Sequence, residues 1–224
     1  DLEFIEKVVK EKEDLIVEAN DKIWGYAELP YEETKSAELL CKILEEEGFS
    51  VEKGVAQIPT AFVGRFEYGT GGPVMGILGE YDALAILSQK AGCSVKSPVT
   101  PGAPGHGCGH CCLGTGALAG ALAVKAYLEE YKKAGTILYY GCAAEEGAGA
   151  KQFMARAGLF EGVDFVYTWH PSDRNEVQNT CNVAIMGANF EFFGRTSHAG
   201  GALHLGGGRR EAAGRRRVGA INRR

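Results

Sequence analysis

No stretch of this 224-residue chain is apolar for long enough to cross a bilayer. The longest nearly apolar helical run, residues 117–124, stops at Lys125, well short of the ~20 residues a span requires. A basic and then apolar leader is also missing: the chain opens Asp1-Leu2-Glu3 and stays charged. Without processing that removes such a leader, this places the protein in the cytoplasm, away from membranes. Cysteine occurs in no pairing pattern. Seven residues, at 41, 93, 108, 111, 112, 142 and 181, are an odd number scattered through a mid-sized chain. That suits metal binding or free thiols in a reducing compartment and excludes a disulfide framework. Basic charge is scarce outside the C-terminus, where Arg209, Arg210, Arg215, Arg216, Arg217, Arg223 and Arg224 fall in the last 16 residues. Without them and Glu211, 17 basic side chains face 28 acidic ones, a net −11. So acidic a body disfavours nucleic acid, whose phosphates need a basic face. Internal repeats are absent. What remains is a globular composition, 45% hydrophobic and 24% charged, sufficient for a substantial core.

Periodicity predicts a surface helix over residues 2–28, where Leu2, Ile5, Val9, Leu15, Ile16 and Ile23 recur at roughly helical spacing. Ala37, Leu40, Cys41 and Leu44 fall at i, i+3, i+4 and i+7, and Gly48 supplies a stop, so residues 33–47 read as an amphipathic helix. Residues 60–66 and 74–78 read as strands around a glycine-rich turn, and residues 91–109 as a loop rich in Gly, Pro and Ser. Residues 113–133 read as a helix whose Gly114, Gly116 and Gly120 allow close approach to a sheet. A strand at 136–140, a helix at 150–157 and a strand at 165–169 follow. This alternation predicts an α/β fold, a largely parallel sheet flanked by helices. From residue 182 the pattern changes, which divides the chain into 1–181 and the start of a second domain at 182–224.

Three polar clusters follow predicted strands: Gly79-Glu80-Tyr81-Asp82, Glu145-Glu146, and His170. In open α/β sheets the ligand crevice lies beyond the carboxyl ends of the strands, so one site can collect all three. The loop His106-Gly107-Cys108-Gly109-His110 adds a thiol and imidazoles on a backbone its glycines allow to turn. Two imidazoles, a thiolate and a carboxylate suit zinc, the sulfur disfavouring magnesium and calcium. In the pair Glu145-Glu146 neighbouring side chains diverge, so one faces the metal and the other is free to take a proton from bound water. Each element alone has an ordinary reading: a solvated Glu-Glu pair, a glycine loop with incidental polar residues, a strand-end histidine, an aspartate capping a helix. Their joint placement after successive strands points to a metal site. The other six cysteines read as packed thiols.

The motifs Gly79-Glu80-Tyr81-Asp82-Ala83-Leu84, Gly105-His106-Gly107-Cys108-Gly109-His110, Gly141-Cys142-Ala143-Ala144-Glu145-Glu146-Gly147, Thr168-Trp169-His170-Pro171 and Ser197-His198-Ala199 together resemble a family. It is that of the dinuclear-metal amidohydrolases of the aminoacylase and carboxypeptidase group, in the branch of the p-aminobenzoyl-glutamate hydrolases and related dipeptidases. The resemblance covers residues 1 to about 206. It implies a zinc-peptidase-like catalytic domain interrupted by a smaller α+β lid domain through which subunits form homodimers. It also implies two divalent metal ions per subunit, zinc or alternatively manganese. Cys108, His110, Glu146 and His170 would be metal ligands and Glu145 the general base and acid. Asp82 would orient a ligand imidazole, and His198 would reach a neighbouring subunit's active site to hold the substrate carboxylate or the developing oxyanion.

The chain departs from the family in three respects. Family chains return from the lid to the catalytic domain and supply a further histidine ligand, to which nothing in these 224 residues corresponds. Residues 205–219 align with an amphipathic lid helix, but Arg210, Arg215 and Arg216 stand where the family has apolar side chains. Position 111 is Cys where relatives commonly carry Asn or Asp. The leading expectation is metal-dependent hydrolysis of an amide in p-aminobenzoyl-glutamate-like N-acyl amino acids or short dipeptides. The alternative is a non-catalytic homologue, a binding or dimerisation protein with an incomplete metal site. A redox reading of Cys108, Cys111 and Cys112 is the weakest: Cys108 and Cys111 have redox spacing, but the flanking histidines and glycines suit coordination better.

Overall fold

The structure is a computed structural model that describes residues 1–147, 149–177, 188–190 and 216–218. Residues 1–173 and 174–224 form two compact units. The first holds five helices, α1 (Leu2–Glu11), α2 (Glu13–Tyr26), α3 (Thr34–Glu46), α4 (His110–Glu130) and α5 (Ala150–Arg156). It also holds five strands, β1 (Ser50–Lys53), β2 (Phe62–Tyr68), β3 (Val74–Gly79), β4 (Gly135–Gly141) and β5 (Phe165–Tyr167), in one sheet of order β1-β2-β4-β3-β5. In the second unit β6 (Ala188–Phe190) pairs antiparallel with β7 (Arg216–Val218).

The α/β expectation holds, and the sheet is mixed. β3 runs parallel to both β4 and β5, whereas β2 runs antiparallel to β4 and to β1. The parallel half carries the functional end, because register pairs Gly79 with Gly141 and thereby aligns the carboxyl ends of β3 and β4. β4 is the central strand, buried along its whole length, which accounts for its continuous apolar sequence.

α3 buries Ala37, Leu40, Cys41 and Leu44, the predicted face, together with Ser36 and Ile43. Its N-terminus is capped from upstream by the Glu28 carboxylate, which accepts the N–H groups of Lys35 at 3.0 Å and Ser36 at 2.9 Å. Its C-terminus closes through Gly48, at φ 87°, with Gly48 N–H to Glu45 O at 3.1 Å and Phe49 N–H to Leu44 O at 2.9 Å. That paired pattern needs a left-handed residue at this position.

α4 packs against β3 and β4 and also against α1 and α2. Contrary to the sequence reading, which ended the apolar run at Lys125, its 21 residues are long and apolar enough to span a bilayer by length and composition alone, because a single lysine does not interrupt the helix. The apolarity is that of a core helix: Leu113, Ala117, Leu118 and Ala121 are fully buried within the protein. The three glycines permit the expected close approach. A Cβ on Gly114 would lie 2.5 Å from the Glu80 carbonyl oxygen, and one on Gly120 2.9 Å from Ile77 Cδ1. Because Glu80 O is backbone and cannot rotate aside, Gly114→Ala is expected to destabilise the fold by about 1–3 kcal/mol, read from denaturant melts. Beneath α4, Phe62 stacks on Tyr81 and Tyr139 at centroid distances of 5.9 and 5.8 Å. Both buried phenols donate to carbonyls, Tyr81 to Thr60 O at 2.6 Å and Tyr139 to Gly114 O at 3.0 Å, as buried polar groups must.

The structure differs from the sequence reading in several places. The expected helix over residues 2–28 is two helices that meet at Lys12, whose N–H bonds to Val8 O and Val9 O. β1 escaped the pattern because it is mostly exposed and carries no apolar alternation. α4 begins at His110, so the second histidine of the loop motif lies in the first helical turn. Residues 216–218, inside the segment aligned with a lid helix, form β7.

Candidate metal centre

The polar residues that follow β3, β4 and β5 meet the start of α4 at one end of the sheet. Gly109, at φ 79°, turns the chain into α4, and a side chain there would lie 3.1 Å from Pro171 Cγ, so the loop and the His170-Pro171 segment are packed together. His110 is fully buried. Its Nδ1 lies 2.8 Å from Asp82 Oδ1, the partner that fixes the tautomer and leaves Nε2 as the free nitrogen. Around Nε2 stand Glu80 Oε2 at 3.0 Å, Glu145 Oε2 at 3.8 Å and Glu146 Oε1 at 3.9 Å. Cys108 Sγ lies 3.3 Å from His170 Nε2, and His170 Nδ1 is held 2.9 Å from Pro171 O. The rings of His110 and His170 meet edge to face with centroids 5.7 Å apart.

Asp82 has a second duty. Its Oδ2 accepts the backbone N–H of Glu146 at 2.8 Å, so one buried carboxylate ties the imidazole of α4 to the turn after β4. Electrostatics follow the crowding of acids. Burial opposes a charge on His110, but the hydrogen bond to Asp82 and the nearby charges of Asp82, Glu80 and Glu146 outweigh it and hold the imidazole above its ordinary value. Burial and then the Glu146, Glu145 and Glu80 carboxylates push the Cys108 thiol up to about 12. Burial and Glu80 raise the Glu145 carboxyl.

These residues fit a cation. Among the described residues, His110 Nε2, Glu146 Oε1 and Glu80 Oε2 are buried atoms that complete no hydrogen bond, although the two carboxylate oxygens stand 3.9 and 3.0 Å from the imidazole nitrogen. Such atoms are costly unless something satisfies them, and a cation would satisfy a nitrogen lone pair and carboxylates together. Two sets of donors qualify, Cys108 with His110 and His170, and Glu80 with His110 and Glu145, each set lying within 4.8 Å and sharing His110. Thiolate with imidazole favours zinc.

The structure thus brings together Asp82, Cys108, His110, Glu145, Glu146 and His170 from segments far apart in the chain. His198 lies outside the described residues. Glu80, to which sequence reasoning gave no role, is 5% exposed, pairs through Oε1 with Lys151 of α5, and turns Oε2 toward His110. Its signal was its place in the same strand-end cluster as Asp82. His106 is separate: burial lowers its pKa, and its Nε2 is 3.0 Å from Ile23 O. Cys111 is buried, with Cys112 Sγ as its sulfur neighbour at 4.0 Å. Cys108 Sγ instead lies against His170 Nε2, at 3.3 Å.

Residues 76–201 match the profile of Peptidase family M20/M25/M40. The chain belongs to that family. Over 203 residues it is 46% identical to a subunit of the p-aminobenzoyl-glutamate hydrolase of Escherichia coli strain K12, covering 91% of this chain and 42% of the relative. Over 191 residues it is 30% identical to human Xaa-Arg dipeptidase, covering 79% of this chain and 40% of that protein. The chain therefore spans about two fifths of these M20/M25/M40 relatives. A dinuclear metal-binding peptidase of the M20 family from Bacillus subtilis shares the fold, with a TM-score of 0.58 and 22% identity over 73% of this chain and 44% of that one.

Proposed function

We propose that this chain belongs to a metal-dependent amidohydrolase that cleaves the amide of p-aminobenzoyl-glutamate-like N-acyl amino acids or short dipeptides. The observation that carries the reading is the convergence of the partnerless buried atoms of His110, Glu146 and Glu80 beside Cys108 and His170. The substrate class is supported by the activity for which the E. coli relative is named and, more coarsely, by the human dipeptidase.

Cys108, His110, Glu146 and His170 would hold the metal, zinc by donor softness and manganese as the alternative; the B. subtilis fold neighbour, described as dinuclear, supports two ions. When bound, the cation activates water and polarises the scissile carbonyl. Glu145 takes the proton from the attacking water and passes it to the departing amine, which requires a carboxylate near the metal and in reach of solvent. Its side chain is 40% exposed, against 19% for Glu146. Its distance to His110 Nε2 nearly equals that of Glu146, and Glu145 rather than Glu146 joins one of the two donor sets, so the division of labour rests on the family resemblance and on two other differences. Glu146 has a buried partnerless oxygen and a backbone pinned by Asp82, whereas Glu145 stands open. Asp82 orients His110, and His198 would hold the substrate carboxylate or the developing oxyanion from a neighbouring subunit. We place the start of a lid domain at residues 182–224 and a homodimer contact within it; the E. coli relative is itself named a subunit. Six unpaired cysteines among the described residues support a reducing, cytoplasmic location.

The test is hydrolysis of p-aminobenzoyl-glutamate and a dipeptide panel before and after chelation. Turnover that disappears with chelator and returns with zinc or manganese is expected. Turnover indifferent to chelation sinks the metal mechanism, and neither turnover nor metal binding leaves a binding or dimerisation protein.

A further inference from the structure

Among the described residues, one buried carboxylate stands outside the metal-facing cluster. Glu33, in the loop between α2 and α3, is fully buried. Its Oε1 accepts the backbone N–H of Ala144 at 2.5 Å, and its Oε2 accepts the Thr60 hydroxyl at 3.0 Å. Thr60 is itself fixed, since its carbonyl accepts the Tyr81 hydroxyl. Burial raises the Glu33 carboxyl above its usual range, so keeping an acid here costs stability that an apolar side chain would not.

What Glu33 holds is unusual backbone. Ala144 has φ 55°, a left-handed conformation that a residue with a Cβ adopts only when its surroundings impose it. Ala144 O accepts the N–H groups of Gly147 at 3.0 Å and Gly149 at 2.9 Å, closing a tight turn whose next two residues are Glu145 and Glu146. The same loop braces that turn and its neighbour: a Cβ on Gly147 would lie 3.0 Å from Pro30 Cβ, and Ala83 N–H donates to Glu28 O at 2.8 Å.

We propose that Glu33 is a positioning residue: by clamping the Ala144 N–H it fixes the left-handed turn from which Glu145 and Glu146 project toward His110. This rests on the metal-site reading above. The clamp depends on reach and on an oxygen acceptor, and does not depend on charge.

The test compares the 224-residue chain with Glu33→Asp, Glu33→Gln, Glu33→Ala and Leu40→Ala. The readouts are zinc affinity by competition with a chelator and thermal melting of the metal-free protein. Leu40 is buried in α3, and because its side chain carries no polar atom its truncation supplies a loss of stability that leaves the hydrogen bonds of the clamp in place. Glu33→Asp, one methylene shorter, and Glu33→Ala are expected to weaken zinc binding by about tenfold or more. Glu33→Gln keeps an oxygen for Ala144, and the Thr60 hydroxyl, unlike a backbone N–H, can turn to accept from the new amide, so this variant is expected to stay within about threefold of the parent. Leu40→Ala is expected to lower the melting temperature with zinc affinity unchanged. Glu33→Asp reports even where Glu33→Ala fails to fold. Zinc binding by Glu33→Asp that equals the parent's overturns the proposal, as does an equal weakening by Leu40→Ala. A parent chain that binds no zinc overturns the metal-site reading itself, and the role of Glu33 with it.

Discussion

Glu145→Gln is expected to lower kcat on a hydrolysed amide by about 10²–10⁴-fold, the usual contribution of a positioned general base, while the protein keeps its metal. The substitution preserves side-chain volume and removes only the capacity to accept a proton. Geometry supports that separation. Glu145 Oε2 stands 3.8 Å from His110 Nε2 on a side chain 40% open to solvent, near enough to serve a water at the metal-facing nitrogen and open enough to exchange its proton. Burial and the neighbouring Glu80 raise its carboxyl, the direction that makes a carboxylate a better base. Steady-state kinetics with metal analysis of the same preparation check the prediction. Loss of metal together with activity would make Glu145 a ligand, and retained activity would remove it from the chemistry.

The second large effect is expected at Asp82. Its two oxygens hold two site elements at once, the His110 imidazole and the Glu146 backbone N–H. Asp82→Ala leaves both donors buried without partners, which should destabilise the metal-free fold by about 3–5 kcal/mol and weaken metal binding by about 10–100-fold. Asp82→Asn should fall between, because an amide offers one oxygen and one N–H group and can satisfy only one of two donors. Calorimetric metal titration and denaturant melts check both effects. A zinc affinity unchanged in Asp82→Ala would mean that His110 is oriented by packing alone.

How much of this was legible in the sequence depended on distance along the chain. The Ala37, Leu40, Cys41, Leu44 spacing located α3 to within a residue at each end, because one helix face records its own burial. The approach of Cys108 to His110 was legible for a similar reason, the two lying either side of Gly109, whereas nothing local distinguished His106, which turns away to Ile23 O. The strand-end positions of Asp82, Glu145-Glu146 and His170 were legible once β3, β4 and β5 were, since the rule about strand carboxyl ends needs only the strands. β1 was not legible, being short and exposed, and neither was the antiparallel half of the sheet, because strand direction is decided by pairing partners that no local pattern encodes. The Lys12 break was hidden because roughly helical spacing continues across it. Glu80 and Glu33 were missed for a further reason. Glu80 gains its meaning from His110 and Lys151, and Glu33 from Ala144, more than a hundred residues away. The sequence displays a carboxylate there but not what it faces.

Whether these segments build a metal centre is decided by elemental analysis of the purified protein beside its Glu145→Gln and His110→Ala variants. About one to two equivalents of zinc or manganese per chain are expected, retained in Glu145→Gln and lost in His110→Ala. A protein that carries no metal and takes none up on titration, or one whose metal survives His110→Ala, would contradict the metal-site reading.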